Sequence, residues 1–165
     1  MIPLPAPRPP HLVIGIGNEL FTDEGLGVAA VRRLAERDLP GVEAIDGATL
    51  GLQLLPEVEG RQTLLVLDAV VDDSLEPGSL VVLEREELEL RPKLFFSVHQ
   101  LGILEVLASA TFLGQAPARV AAIGMVPASL ETGYGLSPTA LARLDDMVDL
   151  AVARLAAWDK EWIDA

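Results

Sequence analysis

The sequence predicts a three-layer α/β domain, with helices on both faces of a five-stranded, mostly parallel sheet. Short apolar, β-branched runs recur along the chain and read as strands covered on both faces. Between them lie segments whose apolar residues fall at helical spacing, and alternation of strand and helix is the pattern of parallel crossover units. At 165 residues the chain has the size of one domain and can bury roughly 70% of its unfolded surface, so one folding unit suffices.

The first ten residues, MIPLPAPRPP, hold five of the twelve prolines and lack the continuous apolar stretch of a secretory signal. They are expected to be an extended, mobile tail, with residues 11–165 forming a single domain. His11 to Gly17 reads as the first strand, Asn18 to Thr22 as a loop, and Asp23 to about Glu36 as a helix carrying Leu26, Ala29, Ala30 and Leu34 on one face. Thr22 or Asp23 is available to cap that helix. Val42 to Asp46 reads as a second strand, and Leu50 to about Glu59 as a brief helix weakened by Pro56.

Thr63 to Val71 (TLLVLDAVV) is the most strand-like run of the chain. A turn at Glu76-Pro77-Gly78 leads into a strand over Ser79 to Leu83, and the charged stretch Glu84 to Lys93 is expected to be a solvated connection. Gln100 to Phe112 reads as a helix preceded by His99, Arg119 to Val126 as the fifth strand, and Pro127 to Gly135 as a loop. Ser137-Pro138 is a cap followed by proline at the first helical position, opening a helix with Leu141, Leu144, Val148, Ala151, Leu155 and Trp158 on one face. The stretch from Val71 to Ser79 is short for a full crossover, so one antiparallel strand is allowed. Strand order does not follow from the pattern.

Composition excludes several functions. A net charge of −13 repels phosphate backbones and anionic lipid headgroups, so neither nucleic acid nor a membrane surface is an expected partner. The absence of cysteine removes thiol nucleophiles, thiolate metal ligands and disulfides, and any metal must use oxygen and nitrogen donors. No run approaches the roughly 18 apolar residues of a membrane span, and a soluble, cytoplasmic protein is expected.

Ligands of open α/β sheets bind beyond the carboxyl ends of the strands, and four polar residues are placed there by the reading above: Glu24, Asp46, Asp68 and His99. Asp68 interrupts the apolar run of the third strand, where an uncompensated carboxylate is costly. It either serves a site or caps a helix and braces a loop. Glu24 in a first helical turn also suits simple dipole complementation, and Asp46 before Gly47 suits a turn. Two carboxylates and one imidazole make an acceptable set for a divalent metal with open positions, although their spacing matches no compact metal motif.

Sharper motifs fail. Gly15-Ile16-Gly17-Asn18-Glu19-Leu20 has leucine where a dinucleotide fingerprint needs its third glycine. There is no phosphate-cradling GxxxxGK[ST], HExxH or GxSxG sequence. A triad can be assembled on paper from Ser97 or Ser129 with His99 and Asp68, but nothing marks either serine as a nucleophile.

The order of motifs resembles the maturation endopeptidases of nickel-iron hydrogenases. The resemblance runs through Gly15-Ile16-Gly17-Asn18, Thr22-Asp23-Glu24-Gly25-Leu26-Gly27, Asp46-Gly47, Leu67-Asp68-Ala69, Ser97-Val98-His99-Gln100-Leu101-Gly102 and Gly124 to Leu136, in family order. One departure is Ala128, where relatives often carry an acidic residue ahead of Ser129-Leu130-Glu131. The resemblance implies a twisted five-stranded sheet between helices, and Glu24, Asp68 and His99 as catalytic and metal-binding residues. It also implies Asn18, Asp46 and Gly47 at the substrate-binding surface.

The activity so implied is removal of the C-terminal extension from a [NiFe]-hydrogenase large-subunit precursor. The implied metal is nickel carried by that precursor, with zinc or cadmium as occupants in vitro. Two other readings stay open on the residues: a nickel-checking or carrier protein without catalysis, and a nucleotide-binding module built on the GxGN turn.

Overall fold

The computed structural model describes residues 7–90 and 98–163, with side chains described for 7–90 and 102–160. Five strands, β1 (His11–Ile16), β2 (Val42–Ala48), β3 (Thr63–Ala69), β4 (Leu80–Glu84) and β5 (Arg119–Met125), form one sheet in the order β2-β1-β3-β5-β4. The first four neighbours in that order pair parallel, and β4 pairs antiparallel to β5 at the edge. β4 follows the turn at Glu76 to Ser79, where Ser79 N–H donates to the Glu76 carbonyl, and no helix intervenes between β3 and β4.

Strand alternation sorts the core into two layers. Leu12, Ile14, Leu64, Val66, Val120 and Ala122 meet α2 (Leu55–Val58) and α4 (Val98–Phe112) through Val58, Val106 and Ala110. Val13, Leu65, Leu67, Ala121 and Ile123 face the other way, toward Val31 of α1 (Leu26–Ala35) and Met147 and Ala151 of α5 (Pro138–Ile163). The expected three layers are therefore present. Among the described residues no helix is long and apolar enough to cross a membrane.

Four local readings differ from expectation. The charged stretch after β4 forms α3 (Arg85–Leu90) with Leu88 buried, rather than a solvated connection. Glu87 reaches back to accept from Glu84 N–H, half of a capping box, and Arg85 pairs with Glu89 one turn on. The remaining residues of that stretch, 91–93, lie outside the described residues.

Helix α4 begins at Val98, so His99 sits within its first turn instead of preceding it. Neither Thr22 nor Asp23 caps α1: a 3-10 turn, Thr22–Gly25, precedes it, and neither segment has a side-chain cap. Of the proline-rich start, residues 1–6 lie outside the described residues, whereas residues 8–10 are tied to the body. Buried Arg61 donates to the Pro9 carbonyl, Gln62 and Thr63 N–H groups donate to the Pro10 carbonyl, and Arg8 donates to Pro56 O. Proline carbonyls remain full acceptors, so a proline-rich stretch docks where donors face it.

Candidate active site

The strand order defines where a ligand belongs. From β1 the chain leaves by α1 to β2 on one side, whereas β3 leads to β4 and β5 on the other. The connections part between the carboxyl ends of β1 and β3, and that switch point is where open α/β sheets bind their ligands.

Glu24 and Asp68 flank this point. The turn carrying Glu24 packs against the end of β1 at Gly17, whose φ is +144° and where an added Cβ would lie 1.9 Å from the Glu24 carbonyl oxygen. Only glycine lets the turn approach so closely. Gly27, one turn further, brings α1 against both strands: a Cβ there would lie 2.1 Å from Leu67 O and 2.2 Å from Ile16 O.

Asp68 occupies the second-last position of β3, paired with Gly124 of β5. It shares strand parity with Leu64 and Val66, so its carboxylate projects to the α2 and α4 side. Among the described residues it accepts one hydrogen bond, from Ala69 N–H at 2.7 Å. It neither caps a helix nor braces a loop there. Burial pushes its carboxyl well above the ordinary range, the Ala69 N–H opposes that, and the charge of Glu24 adds to it.

Both residues are buried, and the charge of Glu24 reaches the Asp68 carboxyl. The buried basic residues His11 and Arg61 stand at the amino ends of β1 and β3, the opposite edge. His11 is engaged there, with Nδ1 2.9 Å from Thr63 Oγ1 and Nε2 2.7 Å from Asp159 Oδ1.

The third expected member, His99, lies in the first turn of α4, on the layer that Asp68 faces. Gly102, three residues on, packs against Gly51, in the turn that follows β2, with an added Cβ 2.8 Å from the Gly51 Cα. The start of α4 is thereby at the carboxyl edge of the sheet. The His99 side chain lies outside the described side chains and Ser97 outside the described residues, and with His99 both triads drawn on paper. Among the described residues no group of three His, Asp or Glu side chains is close enough to hold a metal.

The other expected residues have local roles. Asp46 does not join the pair: Arg32 of α1 holds it at 2.7 Å on the opposite side of the sheet, and its other oxygen accepts from Ala48 N–H at 3.0 Å. Arg32 also grips Glu19 through two bonds of 2.7 and 3.0 Å, and these two carboxylates raise its pKa. Gly47 is enclosed, with an added Cβ 2.5 Å from Ile14 Cγ2, and Asn18 Oδ1 accepts from Leu20 N–H in a local turn. All four polar residues stand at the carboxyl edge, but Asp46 turns to the α1 side, where Arg32 holds it, whereas Asp68 turns to the side of α4, whose first turn carries His99.

Sequence reasoning missed Asp23. It is fully buried and accepts from Ala128 N–H (2.8 Å), Ser129 N–H (3.1 Å), Ser137 N–H (2.7 Å) and the Ser137 hydroxyl (2.7 Å). Ser137 Oγ in turn accepts from Ala140 N–H, which caps α5 as expected. Asp23 thus ties the turn bearing Glu24 to the loop after β5, and Ala128 contributes a backbone N–H to it. Asp23→Ala is expected to destabilise the protein by about 3 kcal/mol, because it strands several buried donors at once. Urea unfolding measures this, and a loss below about 1 kcal/mol would show the loop to be held by other contacts.

Fold and site together define an open-sheet α/β protein whose crevice offers a buried carboxylate pair. A family model described as hydrogenase maturation protease matches residues 28–154. The hydrogenase 2 maturation protease of Escherichia coli is 40% identical over 149 residues, covering 87% of this chain and 89% of that protein. The hydrogenase expression/formation protein HupD of Rhodobacter capsulatus is 40% identical over 163 residues, covering 96% and 77%.

Among solved structures, the hydrogenase maturating endopeptidase HybD of E. coli superimposes with a TM-score of 0.81 at 35% identity, covering 89% of this chain and 92% of that one. The [NiFe] hydrogenase maturation protease HybD of Thermococcus kodakarensis gives 0.75 at 28% identity, covering 87% and 97%. The chain belongs to the hydrogenase maturation protease family, a family of peptide-bond hydrolases.

Proposed function

We propose that this protein cuts the C-terminal extension from a [NiFe]-hydrogenase large-subunit precursor that already holds nickel, using Glu24, Asp68 and His99 to grip the nickel of the substrate. The observation that carries the reading is the placement of two buried carboxyl groups, Glu24 and Asp68, at the β1–β3 switch point. Two like charges buried together are unfavourable until a cation or a proton joins them. Oxygen donors with an imidazole suit a divalent ion, and three ligands leave positions for the ligands of the partner.

The chemistry follows from that grip. Nickel in the precursor polarises the scissile carbonyl, and one carboxylate of the pair takes the proton of the attacking water and passes it to the leaving amine. No nucleophile of this chain is needed, in keeping with the absence of cysteine and of a marked serine. Membership of the protease family supports hydrolysis over mere nickel checking.

The test is incubation of the purified chain with nickel-loaded precursor, followed by intact-mass measurement. Loss of a C-terminal fragment with gain of one water is expected. Stable binding with no change in mass would instead favour the nickel-checking reading.

A further inference from the structure

On the α1 and α5 side of the sheet, opposite the side that Asp68 faces, a pocket of about 200 Å³ lies between the starts of α1 and α5. Leu144, Leu136 and Ala29 form its apolar floor and walls. Tyr134 and Leu141 stand at its rim, 77% and 57% exposed. Leu20, 60% exposed, precedes the same turn. Large apolar side chains left in water around one concavity mark an interaction surface, whereas the same residues scattered singly would not.

Three features say what occupies it. Its volume falls below the roughly 300–1,000 Å³ of small-molecule sites, so it suits one side chain of a polypeptide rather than a nucleotide or cofactor. Its lining is apolar, and the one carboxylate beside it, Glu19, is already engaged by Arg32, so the side chain received is aliphatic or aromatic rather than cationic. Thr22 and Gly25 line the pocket while Glu24, between them, belongs to the acid pair. The pocket and the pair thus share one 3-10 turn, which spans about 8 Å at roughly 2 Å per residue. An extended peptide covers that distance in about two to four residues.

We propose that this pocket seats an apolar side chain of the precursor about two to four residues from the bond cut, and that Leu141 and Tyr134 determine substrate specificity. The inference rests on the precursor-cleaving function proposed above. Leu141 is exposed on the first turn of α5, so Leu141→Glu places a charge at the rim without disturbing the core. Leu113→Glu, at the opposite edge of the molecule after α4, controls for added negative charge.

Equilibrium binding of nickel-loaded precursor and its cleavage kinetics are measured side by side. Leu141→Glu and Tyr134→Ala are each expected to weaken binding and raise KM about tenfold with kcat unchanged, while Leu113→Glu matches wild type. Binding of precursor without cleavage, still weakened tenfold by Leu141→Glu, would keep the pocket and overturn the cleavage reading. Wild-type affinity and KM in Leu141→Glu, or an equal loss in Leu113→Glu, would overturn the pocket. Failure of the wild type to bind precursor would overturn both.

Discussion

Asp68→Asn is expected to eliminate precursor processing while leaving the metal-free protein as stable as wild type or more so. Asn keeps the oxygen that accepts from Ala69 N–H and removes the charge that burial and Glu24 both oppose. The folded-state pKa of Asp68 lies above its unfolded value. Its contribution to stability is therefore fully present below the unfolded value, about 3.9, and is lost as pH rises through the folded value. At neutral pH the wild type bears that loss and Asp68→Asn does not, so the variant gains relative to wild type as pH is raised.

An Asp68 that served only as a brace would behave in the opposite way. It would cost on the order of 1 kcal/mol when altered and would leave much of the activity. Thermal unfolding across pH, run beside a cleavage assay, separates the two. A lowered melting temperature with substantial residual cleavage would remove Asp68 from the site.

His99→Ala is expected to abolish retention of nickel-loaded precursor at every pH, and wild-type retention is expected to fall as pH drops from about 8 to about 5. An imidazole must be neutral to donate its lone pair, and its ordinary pKa is about 6.5. Asp68 acts in the same direction, because its raised pKa lets protons compete with the metal at higher pH than at an ordinary carboxylate. Its protonated form holds no metal. Pull-down of loaded precursor through that range reads both effects, and retention that stays level down to about pH 5 would argue against His99 as a ligand.

Much of this architecture was legible in the residues. Runs such as TLLVLDAVV, buried on both faces, have few alternatives to a parallel strand, and Ser137-Pro138 marks the start of α5 because cap and fixed φ act locally. Strand order was not legible, since it depends on which edges meet after the chain has crossed the sheet. α3 was hidden because its capping signal begins with Glu84 rather than Ser, Thr, Asp or Asn, and its one buried residue, Leu88, makes no periodic stripe.

The site was legible to a different degree. Asp68 stood out because it breaks an apolar run, which is a local signal. Asp46 was placed only by its position at the end of a strand before Gly47, and Arg32 claims it from a helix 14 residues earlier. Asp23 gave no signal, since its four donors come from residues more than 100 positions away and only the folded chain brings them together.

The dependence of cleavage on metal in the precursor tests the account most directly. Wild-type protein is incubated with nickel-loaded and with nickel-free precursor, the latter also with free nickel added and separately in chelator, and each mixture is read by intact mass. Two carboxylates and one imidazole make an incomplete shell that the ligands of the precursor must finish. The account predicts that loaded precursor loses its C-terminal extension, that metal-free precursor stays whole, and that adding free nickel restores little. Efficient cleavage of metal-free precursor in chelator would contradict it.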